Sequence, residues 1–408
     1  MNNQIFALIA AAATGLTLNL GAAPAPASDS WPGFRGPNRD GKSADRGLLK
    51  EWPAGGPQQL WKADGIGKGF SSVSVAGGKV YITGDKEDKL MLTAFDLAGK
   101  KLWQVDAGPP WTRSHPGSRS SATLDGDNLY LLSGTGVLGC FDAATGHKKW
   151  SRAAADYGGR PGGWGYAESP LILGKMVLFK PGGNSCIVAL DKTSGQEIWR
   201  SSGFSAGPEY SSCYAFAWGG KTMVATGTKA GVVGVDAASG RLLFQNDFSA
   251  NNTANCPTPV FSDGYLVWAN GYGKGGICLK LSPEGKAQEV WRTANLNCHH
   301  GGFIIEQGHV FGNDGGGWVC LDLKTGEKKW SERAVGKGSL CWADGQLYLF
   351  GENGGQAALA TCSPQGLEIK GRVQVQGNGP SWAHPVVTGG RLYLRYDDNL
   401  YCFNVKSP

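Results

Sequence analysis

The chain has 408 residues, a formal net charge of +6 and 18% charged residues, and no run of Lys or Arg exceeds two. That excludes a concentrated basic footprint for nucleic-acid phosphates. Its 65 glycines are more than double the ordinary share of about 7%, which points to many short strands joined by tight turns and excludes a mainly helical chain.

Taken from its start, the chain first shows an apolar stretch from Ile5 to Leu18 and then Ala25-Pro26-Ala27, an A-x-A cleavage pattern. This predicts an export signal over residues 1–27 and a periplasmic or otherwise extracytoplasmic product. The first five residues carry no Lys or Arg, so an uncleaved anchor is the alternative, and the first cysteine is Cys140, too late for lipid attachment. Beyond the signal no apolar run reaches the roughly 20 residues that span a bilayer. Residues 28–58 read as an N-terminal arm and 59–405 as one repeat domain.

That domain is organised by one motif: FDLAGKKLW (95–103), FDAATGHKKW (141–150), LDKTSGQEIW (190–199), VDAASGRLLF (235–244), LSPEGKAQEVW (281–291) and LDLKTGEKKW (321–330). The aromatic ends recur every 39 to 49 residues, with Trp61 one period before the first and Val373 one after the last. Eight such positions are the signature of a repeat array. Within a motif, Asp can bond its own backbone two residues on and Gly supplies the positive φ that closes the turn. Upstream hairpin signals such as SVAGGKVYITG and TLDGDNLYLLSG bring each unit to about four strands.

The predicted fold is therefore all-β, an eight-bladed β-propeller of four-stranded antiparallel blades, which shelters sheet edges. The chain ends on three strands without an aromatic fourth, while QQLW near residue 60 offers a strand without a blade. An N-terminal strand completing the last blade closes the ring, and the motif tryptophans fill the gaps between blades.

A polar cluster precedes the first strand of each blade: GFSSV (69–73), SRSSA (118–122), YAESP (166–170), YSSC (210–213), NCPTP (255–259), CHHGG (298–302), GKGSL (336–340) and SWAHP (381–385). All eight converge on one mouth of the central channel, where a small molecule or a protein partner would bind. Strand alternation predicts that His299 and His300 face opposite ways, with His300 inward and in phase with Glu168. The pair reads as polar lining, as a ligand or cofactor contact, or as part of a transition-metal site with Cys298 and His384.

Asp-x-x-(Thr/Ser)-Gly-x-x-x-Trp resembles the tryptophan-docking repeat of the PQQ-like β-propellers, a superfamily that includes the quinoprotein alcohol dehydrogenases and the BamB-like propellers of the outer-membrane barrel-assembly machinery. WPGFRGPNRDGKS (31–43), with YAESP, NCPTP, HHGG and SWAHPVV, is similar to a bacterial family of exported members. The resemblance covers residues 31 to 405 and implies two classes of function. One is a non-enzymatic binding or scaffold propeller. The other is a PQQ- and calcium-dependent oxidoreductase acting on an alcohol or sugar. For the second, blade order implies Arg119 on the quinone, Glu168 and Asn255 on Ca2+, Lys337 as a further cation and Trp382 as an aromatic face. His384 would lie beside them, and His300 would act as catalytic base. Two departures stand out: CHHGG replaces the expected Asp base, and the adjacent cysteine pair of many members is missing. No C-x-x-C-H haem motif is present either.

Three other motifs are set aside. GFSAG (203–207) lacks the strand-to-helix turn of a nucleophile elbow, and GTGVLG (134–139) and GYGKGG (271–276) open no helix. Cys140, Cys320 and Cys402 hold one position in different blades, too far apart to bridge, while Cys256 and Cys298 lie near the axis in neighbouring blades and suggest a disulfide.

Overall fold

The computed structural model describes residues 30–250 and 253–408; the expected export signal lies outside them. Eight four-stranded antiparallel sheets succeed one another. The first seven occupy residues 74–108, 123–153, 171–200, 214–246, 260–293, 304–332 and 338–374 in simple chain order. The eighth joins Val386–Thr388, Arg391–Tyr396 and Asn399–Asn404 to the early strand Gln59–Ala63. That is the expected closure: the ring is sealed by backbone hydrogen bonds between the two ends of the domain. Among the described residues no helix is long and apolar enough to cross a membrane.

Each motif turn is built as its composition predicts. Asp142 Oδ1 accepts from the amides of Ala144 and Thr145 and from the Thr145 hydroxyl, and Gly146 N–H returns to the Asp142 carbonyl. The glycine also serves the next contact. A Cβ on Gly195 would stand 2.8 Å from the Trp150 ring, and one on Gly326 would stand 2.8 Å from Trp291. Trp61, Trp103, Trp150, Trp199 and Trp291 thus lie on the bare glycine of the following blade, and every motif indole but that of Trp103, whose N–H is buried without a partner among the described residues, donates to a carbonyl of that blade. Trp61 donates to Leu97, Trp150 to Lys192, Trp199 to Ala237, Trp291 to Leu323 and Trp330 to Ser363, at 2.6 to 3.2 Å. The core lies between blades, as where Tyr81, Leu92 and Ala94 of the first meet Leu129, Leu131 and Phe141 of the second.

Residues 31–45 run across the central channel. Trp31 bridges Val75 of the first blade, the Pro32 carbonyl accepts from Leu124 of the second, and Ser43 N–H donates to Trp342 of the seventh. Two buried arginines carry the crossing. Arg39 donates to the carbonyls of Ser169 and Cys213 at 3.0 Å and to that of Pro170; Arg35 donates to the Phe303 carbonyl at 2.5 Å. Lys42 pairs with Glu306 at 2.7 Å. Opposite walls of the channel are thereby tied to one segment.

Candidate functional site

Above this plug the polar clusters form two stacked rings. In the lower ring, hydroxyls link blade to blade: the amides of His384, Ser72, Ser121, Ser169 and Ser212 donate in turn to Ser72, Ser121, Ser169, Ser212 and Thr258 at 2.9 to 3.3 Å. Blade six has Gly302 at this level, and Arg35 Nη1 fills its place, 2.7 Å from where a Cβ would be. Two residues earlier along each cluster come Phe70, Arg119, Ala167, Tyr210, Cys256, His300, Lys337 and Trp382. All of these but Lys337 line one axial cavity of about 260 Å3, completed by Phe34 of the arm, His115, Trp164, Tyr272, His299 and His384. Phe34 packs edge-on to His384 at 5.0 Å.

The two-ring spacing decides which expected site residues reach the cavity. Arg119, His300, Trp382 and His384 line it, and Lys337 stands behind His299. Glu168 and Asn255 are each one residue out of step, so neither lines the cavity. Glu168 is buried, with Oε1 accepting the Lys180 amide. Asn255 Oδ1 accepts the Ala250 amide at 2.8 Å and its Nδ2 faces Ser249. The phase match between His300 and Glu168 is therefore corrected: Ala167 is the equivalent of His300.

The expected alternation of the histidines is corrected as well. Residues 299–301 form a bend rather than a strand, so both rings face the cavity, 3.6 Å apart between centroids. His300 stacks on Trp382 at 4.1 Å, and His299 Nε2 shares a 2.8 Å hydrogen bond with the Tyr272 hydroxyl. Cys256 and Cys298 are free thiols, and the Cys298 sulfur faces the backbone of Asn313, so the disulfide is not formed.

Glu352 is a residue the sequence reading missed, as are Phe34, His115, Trp164 and Tyr272 of the cavity wall. Glu352 follows the strand Gln346–Gly351 rather than sitting in a polar cluster, and its signal was a charged residue at a second-strand end beside the cluster. Its Oε2 lies 3.1 Å from Lys337 Nζ and 3.8 Å from His299 Nδ1. Burial would raise its pKa, but the facing His299, Trp382 and Lys337 hold it down at about 2. Burial, reinforced by the neighbouring His299, holds the pKa of His300 well below its ordinary value, and burial with the Arg35 charge brings His384 to about 3. Both rings are neutral at neutral pH. Among the described residues one group of three metal-binding side chains comes together, His299, His300 and Glu352, with ligand atoms within 4.8 Å of one another.

Arg119 donates to the carbonyls of Gly117, Ser114 and His115 at 2.5 to 3.0 Å, lies over the Phe70 and Trp111 rings, and keeps two of its five N–H groups for other partners. Burial lowers its pKa to about 10, against Asp85, so it stays charged.

The family model described as "Outer membrane protein assembly factor BamB" matches residues 43–153 and 88–332. No curated protein matches the chain. Among solved structures, BamB from Moraxella catarrhalis is similar at TM-score 0.60 and 16% identity, over 85% of this chain and 97% of that one. The quinohemoprotein alcohol dehydrogenase from Comamonas testosteroni is similar at TM-score 0.67 and 13% identity, over 93% and 81%. A computationally designed protein, Ika8, is also similar, at TM-score 0.60 and 13% identity over 85% and 100%. At these identities the likeness is one of fold, and fold alone does not carry activity.

Proposed function

This chain belongs to the PQQ-like β-propeller family, and on that premise we propose that it is an extracytoplasmic binding propeller that holds a small, flat ligand in its axial cavity. One observation carries the reading: the cavity of about 260 Å3 is plugged below by the N-terminal arm and walled by Phe34, Phe70, Trp164, Tyr210, Tyr272 and Trp382. Concave sites rich in aromatic side chains with a few convergent polar groups are where small molecules bind, and their volumes begin near ~300 Å3. Arg119 offers the charged contact, so an aromatic ring bearing a carboxylate or carbonyl suits the walls and the cation together.

The quinoprotein reading asks for calcium, cations and a bare aromatic face, and the residues here do not fit that set. The polar atoms of Asn255 are engaged within its own loop, and Glu168 turns to the Lys180 amide. Lys337 is tied to Glu352, and Trp382 is already stacked by His300 and packed by Phe70 at 4.7 Å. His300, its basicity suppressed by burial, is poorly matched to a general base near neutral pH. A protein-assembly role like the one named for BamB would want a continuous apolar surface. Leu60, Leu102, Ile198 and Val290 are exposed, but each stands singly, one residue before a motif tryptophan on a different blade, and single exposed apolar residues are ordinary.

A thermal-shift screen of flat aromatic acids, with their neutral and cationic analogues, tests the proposal on the wild type and Tyr210→Ala. Stabilisation by the acids that is lost in the variant supports it. A set that shifts neither protein, or shifts both alike, overturns it.

A further inference from the structure

Behind the cavity wall lies a second, far smaller space of about 10 Å3, bounded by His299, His300, Asn313, Ser339, Glu352 and Trp382. That is about the room of one water-sized sphere. We propose that this niche binds one divalent transition-metal ion of the zinc and cobalt class through His299, His300 and Glu352, with Lys337 standing in for the ion until it arrives. The inference does not depend on the aromatic ligand: it concerns a different volume and different donor atoms.

Four observations converge on it. The three ligand atoms lie within 4.8 Å of one another, and two imidazoles with one carboxylate suit borderline divalent metals better than calcium or magnesium. Tetrahedral coordination with bonds of about 2.0–2.2 Å sets ligand atoms roughly 3.4 Å apart. The 3.8 Å between His299 Nδ1 and Glu352 Oε2 therefore needs to close by only about 0.4 Å. Next, His299 Nε2 is already engaged by Tyr272 at 2.8 Å, which leaves Nδ1 for the ion in the manner of an oriented metal-binding histidine. Third, His300 Nδ1 is buried without a hydrogen-bond partner, a penalty that a bond to the ion or to a water on the ion would remove. Finally, Lys337 Nζ sits 3.1 Å from Glu352 and 3.4 Å from His299 Nδ1, a cation facing the same two ligands. Its side chain is 33% exposed, so it has solvent to swing into.

With three protein ligands, a fourth position is left for water or for a donor atom reaching in from the cavity. Two other metal-binding side chains nearby, Cys298 and His384, take no part. The first faces Asn313, and His384 Nε2 is bonded to the His300 carbonyl at 3.1 Å.

The experiment is a Co2+ titration of the purified, untagged, EDTA-stripped full chain, read by visible absorption and equilibrium dialysis, with Zn2+ as competitor. The expected result is one equivalent of Co2+ with a ligand-field band that Zn2+ abolishes. Glu352→Gln and His300→Ala should lose the band while melting like the wild type without metal. Lys337→Met should bind about tenfold tighter, and Tyr272→Phe about tenfold weaker, because the hydroxyl that orients the His299 ring is gone. Should either ligand variant fold poorly, the Lys337→Met gain is an independent reading, because a merely structural Lys337–Glu352 pair would leave affinity unchanged. No saturable Co2+ binding in both wild type and Lys337→Met, or binding undiminished in Glu352→Gln and His300→Ala, overturns the proposal.

Discussion

Arg35 and Gly302 are complementary: the guanidinium of one occupies the place that a side chain on the other would take, with Nη1 2.7 Å from the missing Cβ and Nη2 donating to the Phe303 carbonyl. Every neighbouring blade from the eighth round to the fifth closes this level with a hydroxyl or with a bond to one. The sixth borrows a side chain from the arm. Arg35→Ala should destabilise by about 2–4 kcal/mol through the buried carbonyls it abandons. Gly302→Ser, at φ +66° and against the guanidinium, should also destabilise. The double variant should cost less than the sum by about 1–2 kcal/mol, because the serine then has the space and supplies the hydroxyl. Urea unfolding of the four proteins measures this, and strict additivity would contradict it.

The tryptophan–glycine contact between blades can be isolated with a matched pair of glycines. Gly326 and Gly336 share φ +72°, but a Cβ on the first meets Trp291 at 2.8 Å and one on the second meets nothing within 4 Å. Gly336→Ala should cost only the left-handed penalty of about 1 kcal/mol. Gly326→Ala should cost about 2 kcal/mol more, since the indole must move off its seat. The excess of one over the other in denaturant midpoints is the docking contribution; equal losses would mean that the tryptophan does not need the bare glycine.

Ring, blade count and closure were legible because the repeat position recurs eight times, every 39 to 49 residues: a Trp at six of them, Phe244 and Val373 at the others, and a turn closed by Gly need no tertiary knowledge. The cavity residues were legible only to within one position. Strand alternation and blade order put Glu168 and Asn255 on the wall, whereas aligning the clusters on the hydroxyl of Ser72, Ser121, Ser169, Ser212 and Thr258 puts Ala167 and Cys256 there. The hydroxyl is the better mark because it makes the inter-blade bond. Two further features lay beyond any local pattern. The arm contributes Phe34 and Arg35 from far away in the chain, and Glu352 reaches His299 only through the stacking of adjacent blades.

The one-residue displacement of Glu168 and Asn255 has a direct consequence for cofactor binding. PQQ added with Ca2+ should give no calcium-dependent rise in melting temperature, and Glu168→Ala should behave as the wild type does toward calcium. Scanning fluorimetry with and without calcium reads this. A calcium-dependent shift in the wild type that vanishes in Glu168→Ala would instead bring back the quinoprotein oxidoreductase.

Glu168 should reveal itself through pH instead. Burial raises its pKa to about 7, opposed by the charge and amide of Lys180 and by Arg39. Unfolded, the carboxyl titrates near its ordinary 4.5. Between those values the native protein holds a proton that the unfolded chain has released, so folding takes up a proton and stability falls as pH rises, by up to ~1.4 kcal/mol per unit. Below the window both states are protonated, and above about 7 both are ionised, so the loss is complete and the curve levels. Glu168→Gln cannot titrate, yet its amide oxygen can still accept the Lys180 N–H. The stability of the wild type relative to Glu168→Gln should therefore decline from about pH 5 to about pH 7 and then stay flat. Asp85, whose pKa burial raises to about 6, titrates in both proteins and cancels in the difference. Urea unfolding across that range measures it; a difference that is level throughout, or that grows with pH, would mean that Glu168 is ionised in the native protein and that its charge is compensated.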